Sequence, residues 1–264
     1  MATKNLLPEF SLAGKVIVVS GGARGLGLTQ AEALIEAGAD VHALDVLATP
    51  STEFAQVAAR AKELGRSLTY HQVDVRDTEA LQNTIFKLAE PAGIHGLIAA
   101  AGIMQETPAL EYTAVDVTRM LDINVTGVFM TAQAVAKAML KAGTKGSMCL
   151  IASMSGTVAN RGLACPAYNT SKGAVKQLAK NLASEWAQYG IRVNSLSPGY
   201  IATDMVVNLF TKFPEREAEW AGQNMMQRLS SPKEFRGAAV FLMSEASSFM
   251  TGSDLIIDGG HTAW

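Results

Sequence analysis

Cysteine is scarce in this chain: Cys149 and Cys165 are the two among 264 residues, too few for a disulfide framework, so both are expected as reduced thiols. The histidines, His42, His71, His95 and His261, share no spacing with Cys, Asp or Glu that makes a metal site. No uninterrupted apolar run approaches the roughly 18 residues of a membrane span. The opening Met1-Ala-Thr-Lys-Asn lacks the charged-then-apolar order of a secretory signal, which sets a soluble, cytoplasmic protein as the expectation. Excess positive charge is absent too. The net charge is −2 and the Lys and Arg residues are scattered, leaving no basic field for a nucleic-acid backbone. Repeats, low-complexity tracts and linkers are also lacking, so residues 1–264 are expected to form one domain.

What is present is apolar side chain: 48% of residues are hydrophobic and 17% charged, enough to bury a large core. Apolar β-branched runs at 15–20, 40–44, 67–73, 95–100, 147–152, 191–196 and 254–257 alternate with helical-period stretches. Such alternation implies an α/β architecture, a doubly wound parallel sheet of about seven strands with helices on both faces. The first helix is read over 25–38, with Leu28, Ala31, Leu34 and Ile35 on one face and Ala-Gly-Ala at 37–39 as its stop. Segment 204–227 is the long stretch without a strand partner, and a lid is expected there.

Gly21, Gly25 and Gly27 lie between the first strand and the first helix. A glycine turn in that place lets backbone approach a pyrophosphate, whose charge the N–H groups and positive end of the helix stabilise. A Rossmann-like, dinucleotide-binding unit is the reading. Asp45 ends the second strand about 20 residues on, where a carboxylate accepts from an adenosine ribose and repels a 2′-phosphate, favouring NAD. Arg24, inside the turn, favours NADP instead, because a guanidinium pairs with a 2′-phosphate; the carboxylate is given more weight. Asp74, after the third strand, is either an acceptor for the adenine amino group or a strand-end capping acid.

The fifth strand ends in Ile-Ala-Ser153-Met-Ser155-Gly156, and Tyr168-Asn-Thr-Ser-Lys172 opens a long helix beyond it. Tyr168 and Lys172, at i and i+4, share one helical face. A phenol is a poor base at neutral pH, and a neighbouring ammonium together with the charged nicotinamide is expected to favour the phenolate and bring it into working range.

In order and spacing, the glycine turn, Asp74, Asp122-Ile-Asn124-Val, the serine before Tyr-x-x-x-Lys, and Ser197-Pro-Gly-Tyr-Ile-Ala-Thr203 resemble the short-chain dehydrogenase/reductase family, from Leu12 to Gly260. The resemblance implies an oxidoreductase moving hydride between a nicotinamide cofactor and a secondary alcohol or ketone. It implies Tyr168 as general acid/base, Lys172 as the residue that lowers its pKa and bonds the nicotinamide ribose, and Ser153 as the group orienting the substrate oxygen. Asn124 is implied to hold a water linking Lys172 to solvent. Pro198, Gly199, Ile201 and Thr203 are implied to fix the nicotinamide ring, and Leu26, Val75, Ala101 and Gly102 complete the expected cofactor contacts.

There are two departures from the family pattern. Ala99-Ala-Ala-Gly102 stands where the family has Asn-Asn-Ala-Gly, removing a side-chain bond that steadies the sheet. The serine-to-tyrosine gap is two residues longer than usual, which leaves Ser155 as rival to Ser153, with the longer loop placed at 161–166. A homotetramer or homodimer is expected by analogy. A nucleotide sensor, or an enzyme guiding a non-redox rearrangement, is the alternative. Ile103, Met104, Met154, Leu163, Tyr200, Met205, Met225 and Met226 are the candidate substrate border and suggest a hydrophobic ketone or alcohol. Gln105, Asn160 and Arg161 suggest a sugar or polyol.

Overall fold

The computed structural model describes residues 7–264, apart from the side chains of Asp204, Met205, Asn208 and Leu209. The start on which the absent-signal reading rests, and the Met205 side chain, thus lie outside the described residues.

Seven strands form one sheet, with every neighbouring pair parallel: β1 (Val16–Ser20), β2 (Asp40–Asp45), β3 (Leu68–Gln72), β4 (Gly96–Ala99), β5 (Gly146–Ile151), β6 (Ile191–Pro198) and β7 (Asp254–Ile257). Each corresponds to a run read from the sequence, and the order across the sheet is β3-β2-β1-β4-β5-β6-β7. Winding reverses between β1 and β4. In such sheets the crevice beyond the strand carboxyl ends at the reversal is where ligands sit.

Helices α1 (Gly25–Glu36), α2 (Thr52–Glu63), α3 (Thr78–Leu88), α4 (Ala114–Leu121), α5 (Val128–Ala142), α6 (Pro166–Trp186), α7 (Asp204–Lys212), α8 (Glu215–Ala221) and α9 (Arg236–Met243) complete the chain. Alternation along a strand decides which side chain meets which layer. Val18 faces the cluster with Val135, Met139 and Leu182 of α5 and α6, whereas Ile17 and Val19 face Leu34 of α1 and Leu242 of α9. All these positions are buried, each aliphatic side chain contributing about 1.5–3 kcal/mol.

Four details position the site. The helical run Ala114–Ala142 is long and apolar enough by composition to cross a membrane, yet Val128, Ala132, Val135 and Met139 face the sheet core. Its path is interrupted by a π-helical turn, Asp122–Gly127, that carries Asn124; such turns mark functional places in helices. The expected loss of a sheet-steadying bond at 99–102 is made good by Ser20, whose carbonyl accepts from Ala100 N at 3.0 Å and whose hydroxyl lies 3.4 Å from Ala101 N. Finally, β6 runs to Pro198, two residues past its expected end, because Gly199 N supplies the bond to Ile257 O (2.9 Å) that proline lacks.

Candidate active site

A cleft of about 1060 Å³ opens along the carboxyl edge of β1, β2 and β4. Its wall includes Gly21, Arg24, Gly25, Leu26, Gly27, Asp45, Asp74, Val75, Ala101, Gly102 and Thr203, all proposed from sequence as cofactor contacts. Gly21 sits at φ +69°, and a Cβ there would meet Ala101 N at 2.7 Å. At Gly27 a Cβ would collide with the Gly21 carbonyl. Glycine thus lets the turn fold onto β4 and onto itself, while space beside Gly25 stays open. The first N–H groups of α1 have no carbonyl of their own helix to bond, so the turn presents donors and a positive helix end to an anion. An open cradle under a helix start, in a cleft of this size, fits a dinucleotide.

The acids take different postures around it. Asp45 accepts from Ala23 N (3.2 Å) and Leu47 N (3.3 Å), which steadies the turn while its carboxylate borders the cleft. Asp74 is clamped by Arg76, with Nη2 to Oδ2 at 2.5 Å and Nε to Oδ1 at 3.1 Å, and it also accepts from Arg76 N. Those hydrogen bonds hold its carboxyl below the usual range, while the side chain also borders the cleft, a geometry that accommodates both the adenine acceptor and the strand-end cap. Arg76 itself, Ser51, Thr52, Ile123, Ala202 and Pro232 also line the cleft and were not foreseen. Their one sequence signal is position, just past a strand end or at the start of a following helix.

Ser153, Tyr168 and Lys172 are not among the residues lining the cleft; α6 brings Tyr168 and Lys172 beneath the end of β5, with Lys172 next to Gly102 of the cleft wall. Lys172 is 5% exposed, and its ammonium donates to Ile151 O at 2.8 Å while standing 5.6 Å from the centre of the Tyr168 ring. Burial pushes the phenol up to about 12, against a hydrogen bond with Ser153 that lowers it. Burial also lowers Lys172 to about 8. Burial is the leading cause of both shifts. Ser153 reaches the tyrosine; Ser155, also buried, donates its N–H to Ser153 Oγ at 3.1 Å.

Asn124 is buried, and its amide is engaged by protein groups. Oδ1 accepts from Ile103 N at 2.8 Å, and Nδ2 donates to Ile103 O at 2.9 Å and Ser171 Oγ at 3.0 Å. It thereby braces the Gly102-Ile103 turn beside Lys172: a Cβ on Gly102 would lie 3.2 Å from Asn124 Oδ1 and 3.6 Å from Lys172 Nζ. Thr203 reaches the cleft wall, whereas Ile201 packs into the core and pairs with Ser230, and Pro198 and Gly199 lie along β7. Segment 204–227 forms α7 and α8. Phe210 and Trp220 on these helices bury against Leu163 and Cys165, with Tyr168 and Tyr200 packed on the same cluster. Tyr200 stacks on Trp220 at 4.5 Å. Met154 is buried, while Met104, Met225 and Met226 are exposed, the last two beside the glycines at 259 and 260 rather than in the aromatic cluster.

Comparison with known proteins agrees with this geometry. The family model described as enoyl-(acyl carrier protein) reductase matches residues 21–262. A short-chain dehydrogenase/reductase of Aspergillus versicolor is 44% identical over 262 residues, covering 97% of this chain and 89% of its own. The ribulose-forming D-arabinitol 2-dehydrogenase of Candida tropicalis is 36% identical over 277 residues, covering 98% and 96%. Among solved structures, a gluconate 5-dehydrogenase from Burkholderia cenocepacia in complex with NADP and tartrate superposes with a TM-score of 0.88 at 32% identity, covering 97% of this chain and 98% of that one. A glycine cradle under a parallel sheet, a Ser-Tyr-Lys group at the end of β5 and full-length likeness to such enzymes make this chain a member of the short-chain dehydrogenase/reductase family, an NAD(P)-dependent oxidoreductase acting on CH–OH groups.

Proposed function

We propose that the enzyme interconverts an open-chain polyol, or a closely related sugar alcohol, with its ketose, using NAD in preference to NADP. The observation that carries the substrate class is a string of polar side chains beside the aromatic cluster that holds Tyr168. Asn160 Nδ2 donates to Tyr200 OH (3.2 Å), Tyr200 OH to Gln223 Oε1 (3.4 Å), and Gln223 Nε2 to Arg161 O (3.0 Å). A hydroxylated chain can exchange bonds with such a string, whereas an apolar ketone has no donor or acceptor chain to exchange with it. Relatives named D-arabinitol 2-dehydrogenase and galactitol 2-dehydrogenase add to this reading.

The bound dinucleotide supplies the hydride acceptor in alcohol oxidation and the hydride donor in carbonyl reduction. Tyr168 exchanges the proton: its phenol oxygen takes the hydroxyl proton as the carbonyl forms, and returns it in the reverse direction. Ser153 donates to the substrate oxygen and orients it toward the phenol. Lys172 gives the pocket a cation that stabilises the phenolate once that proton has left. Asn124 holds the Gly102-Ile103 turn against Lys172, fixing the cleft floor. Asp45 at the adenosine end opposes a 2′-phosphate by like charge.

The same reading makes residues 1–264 one catalytic domain, with 204–227 as its lid, in a cytoplasmic homotetramer or homodimer. Exposed Val115, Phe129 and Leu140 on α4 and α5, with Ile256 on β7, favour self-association. Following nicotinamide absorbance with purified protein, NADH and a panel of ketoses and apolar ketones tests the function. Turnover restricted to apolar ketones would overturn the polyol reading, and cofactor binding without turnover of any carbonyl would favour a sensor.

A further inference from the structure

The loop after β4 and helix α8 meet at one ion pair. Arg216 Nη1 lies 2.7 Å from Glu106 Oε2, and Nη2 lies 2.9 Å from Oε1. This two-pronged match of guanidinium and carboxylate is the strongest form such a pair takes. The Arg216 side chain is 19% exposed and that of Glu106 34%, so both are partly withdrawn from water and less screened than a free surface pair.

The pair joins two segments that each reach the neighbourhood of Tyr168. Thr107 N, the next residue along, donates to Ala164 O at 2.7 Å, which ties the Glu106 loop to the segment just before α6. Cys165, next to Ala164 in the chain, packs in the cluster that holds Tyr168, Tyr200 and Trp220. Arg216 follows Glu215 by one residue and shares α8 with Trp220, the roof of that cluster. Glu215 and Glu219 add further negative charge around it.

We propose that Glu106 sets the charge selectivity of the substrate site: by occupying both prongs of Arg216, it withholds the guanidinium from anionic sugar acids and leaves the site to neutral polyols. The inference rests on the polyol reading above. A carboxylate-bearing substrate entering this site meets a cation already paired and a rim of glutamates, and so loses in rate to a neutral chain of the same length. Specificity of this kind comes from what repels the competitor as much as from what binds the substrate. Replacing Glu106 by glutamine keeps size and one acceptor but removes the charge, which frees a fork matched to a carboxylate.

The experiment compares kcat/KM for matched pairs of pentitols and hexitols with their aldonates, using NAD and the full chain. In the unaltered protein the polyol of a pair is preferred. Glu106→Gln raises the aldonate-to-polyol ratio at least tenfold, mainly through a lower KM for the aldonate, and the double variant Glu106→Gln with Arg216→Gln removes that gain. Polyol turnover with a ratio unmoved by Glu106→Gln, or a gain that survives loss of Arg216, overturns the charge filter alone. Failure of the unaltered protein to turn over polyols and aldonates alike overturns the substrate class, and the filter with it.

Discussion

The ammonium of Lys172 and the carbonyl oxygen of Ile151 are joined at 2.8 Å, tying the beginning of α6 to the last residue of β5. Ile151 lies two residues before Ser153, so one bond sets the approach of serine, tyrosine and lysine together. It also keeps a charge in a dry place, which makes the stability of the fold depend on pH.

Lys172 titrates near 8 in the folded protein, against 10.5 for an ordinary lysine. The unfolded chain therefore binds more protons between those values, and stability rises as pH climbs from about 8 to 10.5. Below 8 the full penalty is present, roughly 3 kcal/mol. Lys172→Met removes it but leaves the Ile151 carbonyl unpaired, at about 1–3 kcal/mol. Thermal melts at pH 7 are expected to show the variant as stable as the parent or more so, with its advantage shrinking toward pH 10.5 while turnover is lost. A melting temperature several degrees lower at pH 7 would contradict this.

Tyr168→Phe is expected to lower kcat by about 10²–10⁴ while NADH binding, followed by fluorescence, stays intact. Because burial holds the phenol near 12, the protonated form needed for carbonyl reduction dominates at neutral pH, and the phenolate needed for alcohol oxidation grows as pH rises. Oxidation rates should climb from pH 7 to 10, and reduction rates should not. A flat oxidation profile would remove tyrosine from the proton transfer.

Gly27→Ala places a methyl against the Gly21 carbonyl, where no flexible side chain can yield. The turn must shift, so the affinity for NADH, measured by titration, is expected to fall about tenfold or more, a loss of at least about 1.4 kcal/mol. An undiminished affinity would show that the turn does not cradle the phosphates.

Asp45→Ser removes the carboxylate facing the adenosine end of the cleft, and the kcat/KM ratio of NADP over NAD is expected to rise about tenfold or more, since each tenfold is about 1.4 kcal/mol. Because Asp45 also accepts from Ala23 N and Leu47 N, a drop in NAD affinity accompanies the gain. An unchanged ratio would remove the reason for choosing NAD.

The strands were legible because a parallel strand covered on both faces is a short apolar run, and β4, buried at all four positions, is the plainest case. The end of β6 was not, since a proline reads as a stop although its carbonyl side can still pair. The π turn carrying Asn124 was also hidden: it depends on a side-chain amide finding the backbone of Ile103, a partner 21 residues away. The glycine turn could be read because its chemistry is local. The shifts of Tyr168 and Lys172 could not, because the burial that drives them depends on how the whole chain packs around α6. Arg76 was missed for a different reason: its partner Asp74 is two residues away, but nothing in the letters shows that the side chain turns back to clamp it.

Tyr200 stacks on Trp220 in the cluster that also packs Tyr168; were α7 and α8 to act as the proposed lid, reactants would pass this stack twice in every cycle. If hinge opening is slower than chemistry, solvent viscosity rather than substrate deuteration will set the observed rate. Trimming Trp220 would then quicken release while weakening grip, a trade visible as kcat and KM rising together.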